Sequence, residues 1–334
     1  MATADVTIMG AGIFGLSVAY ACAQRGAKVQ VIDPHGVAAG ASGGVVGALA
    51  PHVPENWNEK KAFQFESLIM ADQFWAGVES ISDTNVGYLR SGRLQPLADE
   101  RAVALARDRA ITASELWQGK ANWEVIPAPQ SDWMPPSPTG FVIRDTLSAL
   151  IHPRRATRAL AQAVVALGGT VVEEGQPQGK VVWATGWNGV AELGGGGVKG
   201  QAVVLAHDAA GMPQLFADAL HIIPHADGTV AIGSTSEREF TEPTQTDDQL
   251  DDVLSRAIAA FPVLKDAPIL ERWAGVRPRS KSRAPILGVH PKRAGEFVAN
   301  GGFKIGFGMA PKAGEVMADL LLEEIDTIPA GFHP

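Results

Sequence analysis

Short apolar runs and longer mixed stretches alternate along the chain. Val6-Thr7-Ile8-Met9 reads as a buried strand, and Lys28-Val29-Gln30-Val31-Ile32 as a second one ending at Asp33. Between them lie Gly10-Ala11-Gly12-Ile13-Phe14-Gly15 and a helical stretch from Leu16 to about Gln24, closed by Gly26. Strand, glycine-rich turn, helix and strand within about thirty residues make a βαβ opening. Residues 36–47 read as a glycine-rich loop, 59–80 as a helix, and 87–97 as a hairpin turning at Ser91-Gly92. A helix is predicted over 99–117 and a proline-rich loop over 133–138. The segment 146–168 reads as a helix entered through His152-Pro153, followed by strands at 170–173 and 180–184. Gly194 to Gly197, four consecutive glycines, read as a loop or linker. Strands at 201–206, 220–224 and 229–233 predict a second sheet. A helix near 247–260, a strand near 270–277 and a helix near 312–325 complete the pattern, with no internal repeat or heptad run.

Composition narrows the class. The chain has 334 residues, 46% of them hydrophobic and 19% charged, too apolar for disorder and long enough for one large domain or two ordinary ones. No stretch reaches the ~18 uninterrupted apolar residues of a membrane span, and no basic leader with an apolar core opens the chain. The expectation is a soluble, cytoplasmic protein. With 28 basic against 36 acidic side chains the net charge is −8, which argues against a broad nucleic-acid surface. The single cysteine, Cys22, excludes a disulfide framework, a CxxC redox pair and a zinc–cysteine site. Glycine is the excess, at 37 residues, so many backbone positions need a tight turn or a close approach.

The first glycines sit where a dinucleotide needs them. Gly10 permits the turn, Gly12 lets backbone approach a pyrophosphate, and Gly15 lets the helix pack on the strand with its amides toward the phosphates. Asp33, 18 residues beyond Gly15, ends the second strand, where its carboxylate can accept from an adenosine ribose. An acid there disfavours the 2′-phosphate of NADP. The fold class expected is therefore α/β, or α+β in two domains: a Rossmann-like domain with a second, largely antiparallel sheet domain.

The fingerprint does not choose between FAD and NAD; later segments do. Val181-Val182-Trp183-Ala184-Thr185-Gly186-Trp187 is an apolar strand ending in Ala-Thr-Gly, and resembles the second flavin motif of two-dinucleotide-binding-domain flavoproteins. The run Gly40 to His52 resembles the loop that carries backbone past the flavin in amine-oxidising enzymes. With Lys199-Gly200-Gln201, residues 224–235, Trp273-Ala274-Gly275-Val276-Arg277-Pro278 and residues 301–311, the chain resembles the D-amino-acid oxidase family over its whole length, nearest its glycine oxidase and sarcosine oxidase members. The Gly40–His52 loop and Gly92-Arg93-Leu94-Gln95 also resemble the oxidase half of a bifunctional tRNA wobble-uridine modification enzyme.

The resemblance implies FAD, held noncovalently because Cys22 is wrongly placed for a flavin link. It implies cofactor contacts from Gly10, Gly12, Ile13, Phe14, Gly15, Asp33 and Pro34, and from Ala41, Ser42, Gly47, Ala48 and Leu49. Ala184, Thr185, Gly186 and Trp187 follow, then Gly302, Phe303, Lys304, Ile305 and Gly306. The FAD-binding domain would comprise 1–80, 147–200 and 284–334, and the substrate domain 81–146 and 201–283. Arg277 would clamp a substrate carboxylate, as a guanidinium fork suits. Lys304 would be a second cation and His52 an active-site lining residue. Several family members clamp substrate with tyrosines, but the two here, Tyr20 and Tyr88, lie in the dinucleotide helix and the expected hairpin. Trp273, Trp187 or Phe307 would then supply the apolar walls. The other histidines show no ligand spacing, so no metal is expected. The implied reaction is oxidation of a small amine or amino acid by hydride transfer to flavin N5, giving an imine that hydrolyses, with oxygen or another acceptor reoxidising the flavin. Alternatives are removal of a carboxymethyl group from a tRNA wobble-uridine amine, and a dehydrogenase that does not use oxygen.

Overall fold

A computed structural model of the chain describes residues 4–334. Its opening unit is β1 (Val6–Met9), α1 (Ile13–Gln24) and β2 (Val29–Ile32), with β1 and β2 parallel and paired Val6 to Val29. Eleven of the twelve α1 side chains are buried, so apolar packing rather than amphipathic propensity holds this helix. The chain continues through β3 (Ala48–Leu49), α2 (Glu59–Ser82), β4 (Arg93–Pro96), α3 (Glu100–Leu116), β5 (Trp123–Pro127), β6 (Phe141–Asp145), β7 (Ala149–Leu150) and α4 (Pro153–Ala166). Next come β8 (Thr170–Val172), β9 (Lys180–Trp183), α5 (Gly186–Glu192), β10 (Gly196–Ala206), β11 (Gln214–Ala217), β12 (Leu220–Pro224) and β13 (Thr229–Gly233). The chain ends with α6 (Asp248–Ala260), β14 (Ile269–Arg279), β15 (Ile286–Val289), β16 (Phe297–Asn300) and α7 (Gly306–Ala318).

Two large sheets form. A six-stranded sheet in the order β15-β16-β9-β1-β2-β8 is parallel except for β15, and its main core gathers α1, α2, α4 and α7. An eight-stranded sheet in the order β14-β10-β13-β12-β11-β4-β6-β5 is antiparallel except where β4 meets β11. One face of it packs under α6 through Val203, Leu205, Ile222 and Ile232. The opposite face, through Ala202, Val204, Ile223 and Ala231, meets Val45 from the loop after β2. The fold is α/β with a second, largely antiparallel sheet.

Four expectations change. Residues 87–97 are not a hairpin: Leu89 bridges Leu150, and β4 pairs with β6 and β11, partners distant in sequence. Gly92, at φ +79°, turns the chain through a corner instead. The helix expected from 146 begins at Pro153, because proline is favoured at the first helical position and pushes the residue before it out of the helical region. Residues 149–150 form β7, paired with β3. The glycine run is loop only at Gly194 and Gly195. Gly196 and Gly197 open β10, opposite Arg279 and Pro278. A Cβ on Gly197 would run into Val276 and come within 3.2 Å of the Trp187 ring, so only glycine allows that approach. The last helix starts at Gly306 rather than 312 and carries Pro311 inside it; the lost backbone bond is offset by burial of Met309, Ala310, Ala313 and Met317. After α7 the chain widens into a π-helical turn, Asp319–Glu323.

Candidate active site

A cavity of about 730 Å³ opens beyond the carboxyl ends of β1, β2, β9 and β16, where an open parallel sheet places its ligand. Its opposite wall is the face of the eight-stranded sheet around Ala202, Ser234 and Trp273 to Pro278.

The turn after β1 builds one end. Gly10 has φ +120°, and a Cβ there would lie 2.8 Å from the Ala184 carbonyl carbon. The Gly10 amide donates to Ile32 O at 2.8 Å, and the Ala11 amide to Asp33 Oδ2 at 2.8 Å. The other Asp33 oxygen accepts from the His35 amide at 3.0 Å, so the carboxylate is fixed and each oxygen keeps a lone pair for a hydroxyl. Ser42 Oγ accepts from the Ile13 amide at 2.9 Å, tying the glycine-rich loop to the start of α1. The first amides of a helix have no partner within it, and the positive end of its dipole completes an anion seat. The N-terminal residues of α7, Gly306 and Phe307, line the same cavity. Asn300 joins its walls, donating to Gly186 O at 2.9 Å and accepting from the Gly301 amide at 2.8 Å. A long cavity with a backbone-lined anion seat at one end fits a dinucleotide.

The far end is cationic. Arg277 on β14 points over Gly200 of β10, where a Cβ would strike the guanidinium. Its Nη2 bonds Ser234 Oγ, and its Nη1 reaches Thr235 O at 3.4 Å and Lys199 O at 3.5 Å; none of these partners is a carboxylate. Burial pushes its pKa down to about 10, against the opposing pull of Glu237, so it stays charged at neutral pH. Lys304 lies in the turn before α7, docked beside Arg277 by the Phe303 amide donating to Pro278 O at 3.1 Å. Partial burial lowers its pKa, and so do the charges of Arg277 and Arg283. The Trp273 ring folds over Gly275, where a side chain would collide with it, and reaches Gly44, where a Cβ would lie 3.2 Å away.

Most of the residues singled out in the sequence meet in this cavity. Gly10, Gly12, Ile13, Phe14, Asp33, Pro34, Ala41, Ser42, Gly47, Ala48, residues 184–187, Arg277 and residues 302–306 line it, with Trp273 and Phe307. Three do not. Gly15 lies beneath the turn, where a Cβ would be 3.0 Å from Ile8 Cγ2, so its role is helix–strand packing. Leu49 is 1% exposed in the core. His52 sits off the cavity wall, its amide donating to Gln64 Oε1 at 2.8 Å and its Nδ1 on the same oxygen; burial lowers its pKa.

Two residues escaped the sequence reading. Ser234, which holds Arg277, has no signal of its own because it looks like any polar residue after an apolar strand. His221 lies opposite Gly233, which lies opposite Ala202, so all three share the cavity-side face. Its Nδ1 is buried without a partner. Burial, with the charges of Arg93, Lys304 and Arg277, pushes its pKa down to about 4, and the ring is neutral. Among the described residues no cluster of His, Cys, Asp and Glu could hold a metal, and no helix is long and apolar enough to cross a membrane.

A cavity that fits a dinucleotide, roofed by a mixed sheet bearing a guanidinium without a carboxylate partner, fits the class of dinucleotide-dependent oxidoreductases. Residues 5–320 match the family described as FAD dependent oxidoreductase, and the chain belongs to that family. Among curated relatives, the bifunctional protein ThiO/ThiG of Trichormus variabilis is 27% identical over 369 residues, covering 99% of this chain and 55% of that protein. The chain thus spans about half the length of that relative. The glycine oxidase of Pseudomonas putida is 26% identical over 372 residues, covering 99% of this chain and 98% of the relative. Iminodiacetate oxidase from Chelativorans sp. BNC1 shares the fold at TM-score 0.85 and 22% identity, covering 98% of both chains.

Proposed function

We propose that this chain oxidises a small amine or amino acid carrying a free carboxylate, with noncovalently held FAD and with oxygen or another acceptor downstream. The carrying observation is Arg277: a charged guanidinium at a cavity wall whose hydrogen-bond partners are a hydroxyl and two carbonyls. Glu237 lies behind this cation but bonds none of its nitrogens, and a buried guanidinium without a carboxylate on its open edge calls for an anionic ligand. The glycine oxidase relatives and the iminodiacetate oxidase fold neighbour both agree in their names with a carboxylated amine.

FAD, when bound, supplies the two-electron acceptor. The residues of the six-stranded sheet and of segments 33–48, 184–187 and 302–306 would hold it, and the eight-stranded sheet would present the substrate. Arg277 binds the carboxylate and sets the orientation of the Cα–H bond. Lys304 adds positive potential at the same end. Two cations beside the bound molecule disfavour a third, so the substrate amine enters as the free base. Trp273 and Phe307 give apolar walls that exclude water from the reacting carbon. Transfer of the hydrogen with its electron pair requires no side-chain base.

Anaerobic mixing of the yellow holoprotein with glycine, sarcosine, iminodiacetate, D-amino acids and L-proline tests the reading. Bleaching of the flavin band by at least one of them is expected, and Arg277→Ala should weaken that substrate about tenfold to hundredfold, the worth of a lost charge-assisted pair. Unchanged apparent affinity in Arg277→Ala would sink the clamp.

A further inference from the structure

The Lys199-Gly200-Gln201 triplet of β10 lies behind the clamp. Side chains alternate across a strand, so Gly200 faces the cavity while Lys199 and Gln201 face the other way, toward α6. There they enter a buried polar network with Glu237 and Asp247. Lys199 is 3% exposed, Gln201 0% and Glu237 7%. Lys199 Nζ lies 3.4 Å from Glu237 Oε2 and 3.5 Å from Asp247 Oδ2. Gln201 Nε2 donates to Glu237 Oε1 at 3.0 Å and to Asp247 Oδ1 at 2.7 Å, and Gln201 Oε1 accepts from the Asp247 amide at 2.8 Å. Thr235 Oγ1 accepts from the Gln201 amide at 2.8 Å and donates to Glu237. Lys199 and Glu237 also exchange backbone bonds, each 2.9 Å. Asp247 caps α6, accepting from the Gln249 amide at 3.0 Å.

Lys199 and Thr235, both bound into this network, are the residues whose carbonyls touch Arg277 Nη1 from below. We propose that Lys199, Gln201, Glu237 and Asp247 are positioning residues for the carboxylate clamp. They pin β10 and the segment after β13 to the start of α6, so that Gly200 and the two carbonyls form a rigid seat for the guanidinium. The same network puts a carboxylate, Glu237, behind the cation, which keeps it charged without occupying its substrate-facing edge. Buried ion pairs seldom add net stability over apolar packing, so this one is read as specifying a position. The inference rests on Arg277 being the clamp.

The test uses holoprotein variants Glu237→Gln and Asp247→Asn beside Arg277→Ala, with calorimetric binding of acetate, a carboxylate without an amine, and the saturating rate of flavin reduction by the best amine. Asp247 has a side chain 46% exposed, so its variant tests the network without burying an orphan charge. Both network variants are expected to weaken acetate and raise KM by about threefold to tenfold, equal to roughly 0.7–1.4 kcal/mol, with the saturating rate unchanged. Acetate affinity unchanged in Asp247→Asn, while Arg277→Ala abolishes it, overturns the positioning role and spares the clamp. Acetate affinity unchanged in Arg277→Ala overturns both.

Discussion

Arg277 and the backbone beneath it concentrate the chemistry in very few atoms. A Cβ on Gly200 must displace something, and the end of a long side chain moves more easily than backbone. Gly200→Ala is therefore expected to fold with a near-native melting temperature yet lose acetate affinity about tenfold or more, because the guanidinium leaves its seat. Equal losses of stability and affinity would show that the glycine serves the sheet instead. His221 makes a pH prediction on the same face. Its pKa, 6.5 in an ordinary setting, is about 4 in the fold. Above pH 6.5 both folded and unfolded forms are neutral and its contribution is complete. As pH falls the unfolded chain takes up a proton the folded one refuses, so stability declines through the window from 6.5 to about 4. His152, its ring tilted against that of His225 with centroids 4.7 Å apart and its pKa also depressed to about 4, adds to the same slope. Melting curves from pH 7 to 4.5 should show a smaller drop for His221→Leu than for the parent; identical slopes would remove His221 from the account.

Elements were legible where their signals were local. Val6–Met9 and Val29–Ile32 flank a glycine turn, and α2, α3 and α6 open on Asn58, Asp99 and Asp247, whose side chains accept from their first-turn amides. The four- and five-residue strands that went unnoticed, β5, β6, β11, β15 and β16, are too short to show a clear period, and β6 and β11 pair with β4, and β16 with β9, across long stretches of sequence. Such pairing leaves no mark in a local pattern, which is also why β4 was misread as half of a hairpin. The cavity was legible through glycine spacing and one Trp-Ala-Gly-Val-Arg-Pro string, whereas Ser234 and His221 are placed by sheet register alone. Glycines 196 and 197 carry the lesson into an experiment. Gly196 has open space where a Cβ would stand, but Gly197 does not. Gly197→Ala is expected to cost about 1–3 kcal/mol through overpacking against Val276 and Trp187, with Gly196→Ala close to neutral. Urea melts of the two variants decide it, and similar midpoints would mean that β10 and α5 can separate freely.

Across the whole molecule, charge ties the first helix to the last. Arg25, at the end of α1, reaches Glu315 at 2.7 Å, Asp319 at 2.6 Å and Glu323 at 3.2 Å. A shared network on partly exposed side chains is worth about 1 kcal/mol, so Arg25→Ala should lower the melting temperature by a few degrees in dilute buffer and by less in 1 M salt. An undiminished loss at high salt would point to packing of the side-chain stem. The six-stranded sheet raises a broader point. Its β16 enters between β9 and the edge strand β15, and the turn that follows it closes the cavity. Gly10 and Phe307, almost three hundred residues apart, thus line one cavity. During synthesis the glycine turn emerges early, but the cavity beside it lacks a wall until residue 307 has been made. Cofactor capture is consequently a late event, coupled to closure of the cavity by the start of α7 rather than to the motif that announces it.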